Sequence, residues 1–176
     1  MPQAPLSERE RAAMLRVDQA GEFGATRIYA GQLAVMGSRH PSAREIARMA
    51  AQEERHRARF DAMMTARGVR PTALAPLWNM TGFALGAATA IISPEAAMAC
   101  TAAIETEIDR HYGAQLDRLG DQDPGLGNTI AEFRAEEVEH RDAAIAAGAE
   151  RAPAYPLLSA AIRLGCRVAI GLSERI

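Results

Sequence analysis

A glutamate followed three residues later by a histidine occurs twice in this chain, at Glu53-Glu54-Arg55-His56 and at Glu137-Val138-Glu139-His140. Both copies lie in stretches with helical periodicity. On an α-helix, positions i and i+3 are about 60° apart around the axis and about 4.5 Å apart along it, so both side chains leave one face. A carboxylate and an imidazole on one face make a two-ligand bite for a metal ion. A second regularity adds to the first: Glu22 precedes Glu53 by 31 residues, and Glu105 precedes Glu137 by 32. The pattern of a lone Glu followed by E-x-x-H is therefore repeated, as an internal repeat of two helix hairpins.

That repeat is the ligand set of a dinuclear carboxylate site in a four-helix bundle, with one Glu from each of two helices and an E-x-x-H from each of the other two. The predicted fold is all-α: a ferritin-like four-helix bundle of two helix hairpins joined by a long crossover at about 68–93, plus a C-terminal helix at about 154–174. One domain over 1–176 is expected, since this length suffices for one substantial core.

The apolar stripes agree. The first helix, from about Leu6 to Met36 with Ser7 as N-cap, carries Leu15, Gln19, Glu22, Thr26, Tyr29 and Leu33 on one face. Gly21, Gly24 and Gly31 weaken that helix intrinsically, which suggests close packing or room for something near Glu22. The second, about Ser42 to Arg67, aligns Ile46, Met49, Glu53, His56, Phe60 and Met63. Ser93-Pro94-Glu95 opens a third stripe of Met98, Thr101, Glu105, Ile108, Tyr112 and Leu116. Asp123-Pro124 opens a fourth, of Ile130, Phe133, Glu137, His140 and Ala144. A Glu on an apolar face needs a partner, which a metal supplies and an Arg could also supply. His40 lies in a turn and is assigned no role.

Two segments stand apart. Residues 71–94 carry no charge and include Trp78, Met80, Phe83, Ile91 and Ile92. This crossover either packs across the bundle or forms an apolar surface resting in a bilayer interface. The tail from Leu157 to Leu172 is apolar except for Arg163 and Arg167, which share one side; it could pack on the bundle or lie on an anionic membrane. A net charge of −2 argues against a nucleic-acid partner. Two distant cysteines give no disulfide framework or thiolate zinc site, and residues 1–11 hold no run that reads as a signal peptide.

The run from Arg16 through Val17-Asp18-Gln19-Ala20-Gly21-Glu22-Phe23-Gly24 to Gln32 resembles the first-helix signature of the 3-demethoxyubiquinol 3-hydroxylase family. Ala99-Cys100-Thr101 leading to Glu105 and His111-Tyr112, and Phe133-Arg134 to Asp142, resemble it too. The resemblance covers nearly the whole chain. It implies a di-iron monooxygenase that hydroxylates a demethoxyubiquinol or demethoxyubiquinone ring with O2 in ubiquinone biosynthesis. The family's two iron ions would be held by Glu22, Glu53, His56, Glu105, Glu137 and His140. It implies a peripheral protein on the cytoplasmic side of a bacterial cell membrane, with a prenylated quinone entering along apolar helix surface. His111 and Tyr112 are implicated by the resemblance in passing electrons; their spacing alone reads as a core Tyr beside a hydrogen-bonded His. The electron donor stays open between NADH acting directly and a reductase, as do a lipid-presenting partner and a homo-oligomer. Asp18 and Asp109, one turn from Glu22 and Glu105, are candidate acceptors for the ligand histidines. A ferritin-like or rubrerythrin-like iron oxidase or peroxidase shares the ligands without needing the uncharged crossover. A metal-free membrane adaptor leaves the six convergent residues unexplained.

Overall fold

Each of the four longest helices starts where a side chain satisfies one of its free N–H groups. The computed structural model describes residues 5–176. Helix α1, Glu8–Met36, opens with a capping box in which the Ser7 side chain accepts from the Glu10 backbone and Glu10 accepts from the Ser7 backbone. Helix α2, Pro41–Arg67, is capped by His40, whose Nδ1 accepts from the Ser42 N–H at 3.2 Å; the turn histidine thus has a structural role. It ends at Gly68, in the left-handed conformation that glycine adopts freely. Ser93 caps α4, Pro94–Leu119, and Asp123 caps α5, Pro124–Ala146, each followed by proline in the first turn.

Helices α1, α2, α4 and α5 form the bundle. Their inward faces are the stripes read from the sequence: Leu15, Ile46, Met49, Phe60, Met98, Ile130 and Ala144 are buried, and Phe133 stacks on His56 and meets Phe60 edge-to-face. The departures are slight: Met64 rather than Met63 is the buried methionine at the end of α2, and Thr26, Leu33 and Leu116 are only half-buried. Burying an aliphatic or aromatic side chain contributes roughly 1.5–3 kcal/mol, so these layers carry much of the fold's stability.

The crossover is itself a helix, α3 (Ala75–Ile92), lying along α1. Two glycines make that contact possible. A Cβ on Gly86 would sit 1.9 Å from the Ile28 carbonyl oxygen, and one on Gly31 would sit 2.2 Å from that of Phe83. The glycines noted in the first helix therefore divide: Gly31 serves close packing, whereas Gly21 and Gly24 face open space.

Helix α6, Tyr155–Ser173, follows a short 3-10 turn at Ala149–Arg151 and lies against α4. Its two arginines pair with a buried acid. Arg163 Nε donates to Glu107 Oε1 at 2.6 Å and Arg167 Nη1 to the same oxygen at 3.1 Å, and the Glu107 side chain is buried. A buried carboxylate needs such partners, so charge pairing accounts for that spacing. Trp78 Nε1 donates to Ser173 Oγ at 3.0 Å, and Thr72 and Ala73 bond to the Ile176 carbonyl, tying the start of α3 to the end of α6.

Candidate metal centre

Glu22 on α1, Glu53 and His56 on α2, Glu105 on α4, and Glu137 and His140 on α5 meet at mid-bundle, none more than 1% exposed. They form two overlapping groups whose potential ligand atoms all lie within 4.8 Å of one another: Glu22, Glu53, His56 and Glu137, and then Glu53, Glu105, Glu137 and His140. Glu53 and Glu137 belong to both. His56 Nδ1 is 3.0 Å from Glu137 Oε1 and 3.3 Å from Glu22 Oε2; His140 Nδ1 is 3.0 Å from Glu53 Oε1 and 3.1 Å from Glu137 Oε2. Each E-x-x-H histidine thus turns the same nitrogen inward.

Four buried carboxylates in one place repel one another. Burial, then the charges of Glu137 and Glu22, push Glu53 well above the usual carboxylate range; burial and Glu137 do the same to Glu105. Against the effect of burial, the facing carboxylates of Glu137 and Glu22 raise His56 to about 10. Even so, Glu22 Oε2, both Glu53 oxygens, Glu105 Oε2, Glu137 Oε1 and His56 Nδ1 have no hydrogen-bond partner. Unpartnered buried acceptors around one point fit cations, and an oxygen-rich set with two imidazoles suits a moderately hard ion such as non-haem iron.

A surrounding layer holds these six in place. Tyr29 donates to Glu105 Oε1 at 2.6 Å, and Tyr112 donates to Glu22 Oε1. Each tyrosine lies seven residues after one lone Glu and binds the other. Burial raises both phenols well above their ordinary value, so both stay protonated as donors. The outer nitrogens of the histidines are met by the residues preceding the opposite Glu: His56 Nε2 is 3.0 Å from Glu136 Oε2, and His140 Nε2 is 3.0 Å from Gln52 Oε1. Asp18 and Asp109, the acceptors expected from sequence, do not take that part. Asp18 accepts from Gln115 at 2.8 Å and lies 3.4 Å from His111, while Asp109 pairs with Arg134 and Arg141. Of the His111-Tyr112 pair only Tyr112 reaches the six; His111 is half-buried, on Gln115 and Asp18.

Beside this cluster runs an apolar groove of about 560 Å³, walled by α3 and α6 and floored by α1 and α4. Gly21 and Gly24 flank Glu22 on its floor, Ile104 and Ile108 flank Glu105, and no atom lies within 4 Å of where the two glycines' side chains would begin. The outer faces of both wall helices are apolar and exposed: Met80 and Ile91 on α3, Leu157 and Leu164 on α6. Each wall helix is long and apolar enough to cross a membrane by length and composition, although both lie along the bundle.

Residues 9–173 match the family model described as ubiquinone biosynthesis protein COQ7. A 3-demethoxyubiquinol 3-hydroxylase of Rhodospirillum rubrum is 57% identical over 162 residues, which span 92% of this chain and 76% of the relative. The NADPH-dependent 3-demethoxyubiquinone 3-hydroxylase, mitochondrial, of Homo sapiens is 49% identical over 178 residues, 97% of this chain and 82% of the relative. The mitochondrial 5-demethoxyubiquinone hydroxylase of Saccharomyces cerevisiae is 43% identical over 179 residues, 93% and 77% of the two chains. With the repeated Glu and E-x-x-H residues gathered into one buried cluster beside an apolar groove, the chain belongs to the COQ7 family of ubiquinone-biosynthesis hydroxylases.

Proposed function

We propose that Glu22, Glu53, His56, Glu105, Glu137 and His140 hold two iron ions, and that the chain, as one unit over 1–176, hydroxylates the ring of a demethoxyubiquinol or demethoxyubiquinone. The observation that carries this reading is the set of unpartnered buried oxygens in two overlapping groups, set against an apolar groove. Glu53 and Glu137, common to both groups, would be shared between the ions; Glu22 with His56, and Glu105 with His140, would complete one position each. When bound, iron supplies O2 activation and the electron exchange it requires. The overall change is insertion of one oxygen atom into a ring C–H bond, with the second leaving as water at the expense of two electrons and two protons.

The chain's own residues do the rest. Glycines 21 and 24 leave room for a planar head group beside Glu22, and a groove of about 560 Å³ lies within the range of small-molecule sites. Its apolar walls exclude water from the reacting ring, and a prenyl tail would follow them outward. Tyr29 and Tyr112 keep Glu105 and Glu22 aimed inward by donating to their outer oxygens. The exposed apolar residues of α3 and α6 would rest on the cytoplasmic face of the cell membrane, where such a substrate dissolves. We take a nicotinamide as the electron source, in line with the NADPH named for the human relative. Organic extraction of the purified protein, with parallel iron analysis, tests the reading. A prenylated quinone and about two irons per chain are expected. Iron without quinone would favour an iron oxidase, and neither would refute the proposal.

A further inference from the structure

We propose that Glu136 and Gln52 hold the two histidines unequally, so that the metal position served by His56 binds its ion more tightly and fills before the position served by His140. The inference rests on the two-ion reading given above.

The two outer contacts look alike in geometry, 3.0 Å each, but not in charge. Glu136 accepts from His56 Nε2 and, at 2.8 Å, from Gln52 Nε2. Because the Gln52 NH2 group must face that carboxylate, its carbonyl faces His140. His140 Nε2 is therefore a donor, and so is His56 Nε2, since a carboxylate can only accept. With Nε2 as the donor in each ring, Nδ1 is the nitrogen left to face the cluster and, once a metal displaces its proton, to offer a lone pair. A continuous chain of hydrogen bonds, His56–Glu136–Gln52–His140, orients both rings across the two hairpins.

The acceptors differ by a full charge. A carboxylate draws the Nε2 proton toward itself, gives the ring imidazolate character and makes Nδ1 a stronger donor to a metal. An amide carbonyl does this weakly, and the Gln52 oxygen also accepts from Arg48, which withdraws its electron density further. Arg55 partly offsets Glu136 but stands 3.9 Å away on a side chain that is 63% exposed, where solvent screens it. The six direct ligands give each ion one lone Glu and one His, so this outer difference is what distinguishes the two positions.

Glu136 is thus a positioning residue acting through His56, and metal uptake by the metal-free protein reports it without turnover. Calorimetric titration with Co(II) is expected to resolve two steps at least tenfold apart in affinity in the wild type. Glu136→Gln keeps the shape and the Gln52 contact. It should weaken the first step by about 10- to 100-fold, the range for loss of an outer partner, so that the steps merge. His140→Ala should retain the tight step and His56→Ala should abolish it. In the exchanged variant Gln52→Glu/Glu136→Gln, the tight step should become the one that depends on His140. Circular dichroism checks that each variant is folded. Two equal wild-type sites, or a Glu136→Gln isotherm identical to the wild type, would overturn this inference alone. Uptake of fewer than two ions, or uptake indifferent to both histidines, would overturn the two-ion reading and this inference with it.

Discussion

Four glycines on helices α1 and α3 should respond in opposite ways to one added methyl group. Gly86 and Gly31 lie where the two backbones touch. An alanine Cβ at Gly86 begins 1.9 Å from the Ile28 carbonyl oxygen, so α3 must retreat about 1.5 Å to reach ordinary contact at 3.4 Å; at Gly31 the retreat is about 1.2 Å. Overpacking of this kind typically costs about 1–3 kcal/mol, and the gain in helix propensity of up to about 1 kcal/mol offsets only part of it. For a chain of this size, where each kcal/mol moves Tm by about 2–4 °C, Gly86→Ala should melt about 2–8 °C lower. Gly21 and Gly24 meet nothing within 4 Å, so alanine there adds helix propensity without a clash and should raise Tm by about 1–4 °C. Yet both methyl groups project into the groove beside Glu22 and should raise KM for the quinone while leaving iron content unchanged. Thermal melts of the four single variants, with steady-state kinetics, check both parts. A Gly24→Ala protein as destabilised as Gly86→Ala, or one with unaltered KM, would refute the division of these glycines into packing and substrate room.

Three further perturbations separate other parts of the account. Burial raises Asp18 from 3.8 to about 6, so the cost of its ionisation to folding builds as pH rises from about 4 and is complete above about 6; Asp18→Asn should therefore be more stable than wild type by up to about 3 kcal/mol at pH 8, a gap that closes by pH 4 in denaturant titrations. Replacing Arg163 and Arg167 together by Met leaves buried Glu107 with Arg110, at 3.6 Å, as its remaining cation and should cost up to about 3 kcal/mol in the same assay, whereas a loss below about 0.5 kcal/mol would mean that Arg110 or water suffices for Glu107. Met80→Asp with Leu157→Asp should release the protein from neutral vesicles in sedimentation and depress turnover of a long-tailed quinone more than that of a short-tailed analogue; equal losses would assign both helices to packing alone.

The centre of the molecule was legible because its signal is local. Glu53 with His56, and Glu137 with His140, lie one turn apart on single helices, and the apolar stripes that carry them state which way they face. What surrounds them was not, because each partner comes from another helix. Glu136 lies about 100° around α5 from Glu137 and reads as an ordinary surface acid; only the approach of α2 turns it toward His56. Gln52 is hidden for the same reason. Asp18 and Asp109 had suitable spacing along their own helices but face Gln115 and two arginines across theirs. Tyr29 sat in the predicted stripe as a core residue; its place seven residues after Glu22, mirrored by Tyr112 after Glu105, is the signal that pairs them. The arginines of α6 suggested a lipid surface because Glu107 is far away in sequence. Trp78, which composition would send to a bilayer, instead ties α3 to Ser173. The crossover's close seat on α1 follows from Gly82 and Gly86, four residues apart, whose common face lets the two backbones touch.

The six buried residues are proposed to hold iron that directs oxygen onto a quinone ring in the adjoining groove. Single-turnover reaction of the iron-loaded, chemically reduced protein with a demethoxyubiquinol analogue under 18O2, read by mass spectrometry of the product, tests it most directly. One 18O atom per hydroxylated ring is expected from the wild type and no product from Glu53→Ala or Glu137→Ala. Oxygen drawn from water, or undiminished product from either variant, would contradict it.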